Sequence, residues 1–191
     1  MQFKEFSFMV LVIDAQVAGV SGDMLLCGLV NIGANRSKII DGIRCAESLC
    51  KDVKVKKIDF LEVKKNSLQA TELLLDIDDD TQERKGTEIK EIIEKSAEKL
   101  KISGQAKIFA IKTIETLIRA EANIHGEPEE SVYFHEAASF DTVVDILGTA
   151  IAIDDLGCFD DQIVVTPVAI GGGTVTFSHG TSSNPAYAIL E

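Results

Sequence analysis

The sequence predicts an α+β fold: a mixed β-sheet of about six strands packed by four or five helices. Two patterns carry this. Long stretches repeat apolar residues at the 3.6-residue spacing of an amphipathic helix, and shorter runs are β-branched or alternating and are bounded by turn residues. A chain of 191 residues suffices for one substantial core, so 1–191 is expected to be a single domain.

Met9–Asp14 is apolar and β-branched and ends in an acid, as a buried strand does. A small-residue loop follows, and Asp23–Ile32 has helical periodicity, with Gly33 placed to stop it. Ser21, Gly22 and Asp23 stand at the start of this helix, where free backbone N–H groups can cradle a phosphate or carboxylate. The plain structural account is a tight turn capped by Ser21. The loop is neither a Walker loop nor a dinucleotide fingerprint, since it lacks Gly-Lys-Ser/Thr and Gly-x-Gly-x-x-Gly. Asn35–Leu49 is a second helix. Val53–Val63 and Leu68–Ile77 form a hairpin around Lys64–Ser67. The lysines at 54, 56, 57, 64 and 65 read as its solvated face.

Asp76–Lys85 is polar and acidic and is expected to be a flexible loop; it lacks the Gly and terminal Glu of an EF-hand loop. Thr87–Leu100 is an amphipathic helix. A longer one runs from Ser103 to Gly126, and Pro128 confirms its end. His125 lies in its last turn, where the helix dipole favours a histidine without any catalytic duty. Val132–His135 is a short strand, and a helix from about Ser139 to Leu156 follows. Gln162–Ile170 is a strand that Pro167 pushes toward an edge or bend. Gly171, Gly172 and Gly173 turn the chain into a strand at Thr174–Ser178. A triple glycine serves a hairpin turn, and it also lets a backbone approach a ligand closely.

The net charge of −12 argues against nucleic acid and anionic membranes as partners and is compatible with cations. No apolar run is long enough to span a membrane, and the leader lacks the pattern of a signal peptide, so a cytoplasmic protein is expected. The four cysteines form no Cys-x-x-Cys pair and read as buried free thiols.

Chemistry concentrates in Phe134–Asp145, Phe-His-Glu-Ala-Ala-Ser-Phe-Asp-Thr-Val-Val-Asp. Asp141 and Asp145 are four residues apart and share a helix face, while His135 and Glu136 lie on the segment entering that helix. Hard oxygen ligands beside an imidazole suit a divalent metal or a proton-transfer site. The alternative is a capped helix whose first-turn acids complement its dipole.

Four stretches in order add a resemblance. Gly19–Met24 (Gly-Val-Ser-Gly-Asp-Met), Glu121–Gly126, Phe134–Gly148, and Gly171–Val175 followed by Ser178-His179-Gly180 resemble the N-terminal part of the LarC-type nickel-insertion proteins. The resemblance implies nickel insertion, by cyclometallation, into a pyridinium-3,5-bisthiocarboxylic acid mononucleotide. This is a nickel chelatase reaction of the lyase class that consumes CTP with Mg or Mn. The family's CTP-binding part is C-terminal, so the resemblance implies one domain of a longer, truncated or split protein that is incomplete without that region. It further implies His135 and Glu136 as candidate catalytic bases, and His135, Asp141, Asp145 and His179 as metal ligands. Ser21, Gly22, Asp23 and Gly171–Gly173 are the implied contacts to the organic cofactor, and a homo-oligomer is a candidate assembly. Two positions depart from the family pattern: Asp14 lies one residue farther from Gly19, and Thr181–Tyr187 replaces a proline-rich stretch. The alternatives are a non-catalytic cofactor-binding or assembly module and a divalent-metal-dependent hydrolase.

Overall fold

The computed structural model describes residues 10–17, 19–81, 83–135, 139–170, 172–177 and 180–183. In chain order these form β1 (Val10–Ile13), α1 (Gly22–Asn31), α2 (Arg36–Glu47), β2 (Val53–Lys65), β3 (Leu68–Asp79) and β4 (Glu83–Lys85). They continue as α3 (Gly86–Leu100), α4 (Gly104–His125), β5 (Tyr133–His135), α5 (Ser139–Asp155), β6 (Gln162–Val165), β7 (Thr174–Phe177) and β8 (Gly180–Ser183). The class is α+β. The described strands pair two by two: β1 with β6 in parallel, and β2–β3, β4–β5 and β7–β8 antiparallel.

The helix α5 is the hub. Residues 146–153 are all buried, so every side of the helix is covered, and α1, α2, α3 and α4 all pack on it. This accounts for a sequence that is apolar all round between its acidic ends. α2 packs closely on it: a Cβ on Gly42 would overlap the Ile151 side chain. Fully buried Leu26, Ile39, Ile43, Ile93 and Ile114 complete the core around Phe140 and Leu147. Two acids at the C-terminal end of α5 serve its neighbours. Asp154 accepts the Ser103 N–H at 3.0 Å, and Asp155 accepts the Asn35 N–H at 2.8 Å and the Lys38 ammonium at 2.6 Å. Each thereby satisfies donors beside the N-terminus of another helix. Asn35 and Ser103 also cap those helices, accepting from Ser37 (3.0 Å) and Ala106 (3.1 Å).

The hairpin is longer than its sequence pattern suggested. Asn66 and Ser67, at φ 50° and 68°, make a two-residue turn whose twist suits the flanking strands. A bulge between Val55 and Lys57 shifts the inward side from Val53 and Val55 to Phe60. The hairpin lysines are exposed, and Lys56 pairs with Asp78 at 2.5 Å.

The reading of Asp76–Lys85 as a flexible loop is corrected. β3 runs on to Asp79, and Glu83–Lys85 pairs with Tyr133–His135. Arg84 makes the difference. Its guanidinium meets Asp79 at 3.0 Å, with both side chains 2% exposed, and reaches Glu88 at 3.1 Å. A run of acids looks solvated until the cation that neutralises it is placed inside the fold.

The strand at Gln162 is likewise shorter than expected. β6 ends at Val165, though Thr166 and Ala169 still donate to the carbonyls of Ile13 and Ala15 at 3.0 and 2.9 Å. Pro167, which has no N–H, sits between them. All four cysteines are free, with Cys27 and Cys158 buried. No helix among the described residues is long and apolar enough to cross a membrane.

Candidate functional site

The site begins at the carboxyl ends of β1 and β6, where the chain leaves the parallel pair for α1. Thr166 stitches the two strands: its hydroxyl accepts the Ala15 N–H at 2.9 Å and lies 3.1 Å from an Asp14 oxygen. The Asp14 carboxyl is held below its usual range, first by the Gln16 N–H, then by the Gln16 side chain and Thr166. Gly19, at φ 71°, turns the loop back toward Ala169, and α1 starts at Gly22.

Ser21 occupies the N-cap position, but its hydroxyl donates to the Asp23 carboxylate instead of accepting from the backbone. Asp23 also accepts the Met24 N–H at 2.8 Å, so the acid serves the first turn. Gly22 is where α1 meets α5. A Cβ there would overlap the Asp145 carboxyl group, so only glycine lets this helix start lie against that side chain.

Asp23, Asp141 and Asp145 consequently line one cleft of about 500 Å³ with Asp76. Its opposite wall is the half-buried row Leu73, Leu75 and Ile77 of β3. Burial pushes the Asp145 carboxyl up to about 6, and the negative charges of Asp23 and Asp141 add to the effect. Asp141 reaches solvent at the rim, yet the surrounding protein desolvates it enough to raise it too, with Asp79 contributing. Unlike Asp154 and Asp155 on the same helix, Asp141 and Asp145 have no hydrogen-bond donor and no cation among the described residues.

The other candidates from the sequence are placed as follows. His135 ends β5 opposite Glu83. Glu136, Gly171 and His179 lie outside the described residues. Gly172 and Gly173 are exposed in the turn before β7, where added Cβ atoms would meet nothing within 4 Å, and they do not line the cleft. Gly173 is required by its φ of 92°. His125 pairs with Glu121 on its own helix at 3.5 Å. Among the described residues no group of three or more His, Cys, Asp or Glu is arranged to hold a metal ion. Asp76 and the β3 row escaped the sequence reading. The signal for the row was present in the alternation of Leu73, Leu75 and Ile77, which continues past Asp76.

The arrangement can attract a cation, supply oxygen ligands to one, and exchange a proton near neutral pH through Asp145. It is an α+β chain with an acid-lined cleft where the early turns of two helices meet. The chain belongs to the nickel insertion protein family, whose model matches residues 11–191. It is 32% identical over 174 residues to the pyridinium-3,5-bisthiocarboxylic acid mononucleotide nickel insertion protein of Staphylococcus saprophyticus, covering 91% of this chain and 42% of that protein. Proteins named for nickel insertion in Dictyoglomus thermophilum and Methanothermobacter thermautotrophicus are 35% identical over 175 residues and 34% over 184. Those alignments cover 91% and 96% of this chain, and 42% and 43% of the relatives. The chain thus spans about two-fifths of the length of the curated relatives it matches. No solved structure matches it.

Proposed function

We propose that this chain supplies the metal- and cofactor-handling part of a cytoplasmic nickel-inserting enzyme whose organic substrate is pyridinium-3,5-bisthiocarboxylic acid mononucleotide. The observation that carries this is the state of α5: its two C-terminal acids are satisfied, while the half-buried Asp145 is repelled by Asp23 and Asp141 with no cation beside it among the described residues. A divalent cation entering the cleft would relieve that repulsion, and family membership makes nickel the cation to test. Nickel is here a substrate. Oxygen from Asp141 and Asp145, with imidazole from His135 or His179, forms a donor set that nickel(II) accepts. The bisthiocarboxylic acid would bring sulfur donors of its own.

Insertion at a ring carbon replaces C–H by C–Ni and releases one proton, which a base must take. His135 and Glu136 are the bases favoured by the motif, and Asp145, pushed up to about 6, is a third. The reaction belongs to the lyase class. The reading includes consumption of CTP with Mg or Mn, which the family resemblance assigns to a C-terminal region.

The test is the nickel-to-protein ratio by mass spectrometry after equilibration with limiting Ni²⁺ and dialysis, with and without the organic substrate. The unmodified chain should retain nickel when the substrate is present, and Asp141→Asn/Asp145→Asn should lose it. Equal retention by both proteins would remove the cleft from the reaction. A second reading, a cofactor-binding module without insertion chemistry, draws on the lack of a three-ligand group among the described residues. Substrate binding with no nickel retention would favour it.

A further inference from the structure

Nine of the fifteen large apolar side chains exposed among the described residues fall in two short stretches, 10–24 and 164–170. The fold brings these stretches together, because β1 pairs with β6 and Gly19 turns back against Ala169. Alternation along the strands explains part of the exposure. Leu11, Ile13 and Ile163 pack against the core, while Val10, Val12 and Val164 point away from it and are 46%, 58% and 38% exposed. Val12 lies directly opposite Val164, so the valines form one patch, and Val168 and Ile170 follow it along the chain at 48% and 49%. No charged residue occurs from Gln162 to Ile170, in a chain of net charge −12. Two physical rules are left unmet. Parallel strands belong to sheets covered on both faces, and this pair is covered on one. A sheet of two strands also leaves N–H and C=O groups unpaired along both outer edges, and three or more strands are the usual minimum. Among the described residues no other strand joins β1 or β6.

We infer that the outer face of β1–β6 is the docking surface for the region that makes up the other three-fifths of the longer relatives, which adds strand to this pair and covers Val10, Val12 and Val164. Strand addition satisfies an open edge, and an apolar layer removes the valines from water. The family match begins at residue 11, inside β1, and runs through β6. The face therefore belongs to the part that this chain shares with proteins whose remaining three-fifths it does not match. Charge decides against a second copy of this chain as the occupant. The valine face has no charge to offset the meeting of two chains of −12 each, whereas a region of the same protein is held beside it at high effective concentration. The inference is independent of the chemistry proposed for the cleft, and it bears on the cleft's surroundings. The loop from Asp14 to Ser21 joins this face to the start of α1, so a region docked there would border Asp23.

Maleimide labelling of Val12→Cys and Val164→Cys tests this, read site by site by peptide mass spectrometry. The substitutions are made in this chain and at the aligned positions of the full-length Staphylococcus saprophyticus protein. Leu68→Cys, in the hairpin turn and 73% exposed, is the reference in each. In this chain both cysteines should label about as fast as the reference, with unchanged circular dichroism. In the full-length protein both should label at least tenfold more slowly than its reference. Labelling at the reference rate in the full-length protein would overturn the inference. Slow labelling in this chain would also overturn it: with a dimer in sedimentation velocity the occupant is a second copy, and with a monomer the face is already covered. Hydrogen exchange of residues 10–13 in the two unmodified proteins needs no substitution and should give the same order, faster in this chain. Equal protection there would count as the same refutation.

Discussion

Asp145→Asn should make the fold more stable and the cleft inert. In the folded chain the Asp145 carboxyl titrates at about 6 instead of its ordinary 3.8, chiefly through burial and then through Asp23 and Asp141. A displacement of that size corresponds to about 3 kcal/mol of unfavourable interaction with the charged form. The side chain opens onto a solvated cleft, and screening reduces this to about 1–2 kcal/mol. The sign follows from proton binding. The native state binds this proton more tightly than the unfolded state, so stability falls as pH rises from about 3.8 to about 6 and is flat above. Asparagine keeps the shape and never ionises. The variant should therefore exceed the unmodified chain by about 1–2 kcal/mol above pH 6, or about 2–8 °C in Tm for a chain of this length. The advantage should shrink as pH falls toward 4. Urea denaturation from pH 4.2 to 7.5 measures it, with the urea countering precipitation near the isoelectric point of about 4.7. A gap that does not change with pH, or an asparagine variant less stable at pH 7.5, would refute the account of the cleft as electrostatically unfavourable. The same substitution should abolish substrate-dependent nickel retention.

Three further outcomes follow from particular contacts. Arg84→Met leaves Asp79 buried beside only its remaining donors, such as the Thr81 N–H at 3.0 Å, and should cost about 3–5 kcal/mol in urea denaturation. A loss below about 1 kcal/mol would mean that the segment is held by other contacts. Gly22→Ala places a methyl inside the Asp145 carboxyl and should destabilise by about 1–3 kcal/mol. Combining it with Asp145→Ala, which removes the carboxyl but leaves a Cβ 2.6 Å from the new methyl, should recover part of that loss, and strict additivity would disprove the contact. Cys50, whose thiol burial pushes up to about 11, should resist a maleimide at pH 7.5 in the native state and react once unfolded, as peptide mass spectrometry would show.

The helices were legible because each carries its own evidence. Apolar spacing marks the buried side of α3 and α4, and Ser103, Asn35 and Gly126 mark ends that the structure keeps. The i,i+4 spacing of Asp141 and Asp145 likewise places two carboxylates on one helix face. Long-range pairing was not legible. That β1 joins β6, far along the chain, depends on contacts such as the Thr166 hydroxyl bridging to Ala15, and no local pattern encodes it. The bulge at Lys56 was hidden for another reason: it changes which residues face inward without altering their character. The acidic run at Asp76–Asp80 misled because charge density argues for solvent only when the counter-charge also stays in solvent, and Arg84 does not.

The four aspartates of α5 show how one helix serves both stability and chemistry. A helix wholly buried from 146 to 153 leaves only its ends for acids, and an acid partly withdrawn from water there needs a partner or carries a penalty. At the C-terminal end the partners are protein: Asp154 and Asp155 complete the N-terminal donors of α4 and α2, and they stabilise the packing of those helices although an acid at a helix C-terminus opposes that helix's own dipole. Near the N-terminal end the dipole favours Asp141 in the first turn but hardly reaches Asp145, which burial and the neighbouring carboxylates raise to about 6. Gly22 concentrates the effect, since the missing Cβ lets α1 bring Asp23 close to Asp145 when a larger residue would hold it off. Electrostatics alone would be better served by asparagine at 145, which has the same shape and no charge. That the chain instead keeps a carboxylate there, against Gly22, is what singles out the junction of α1 and α5 as the candidate site.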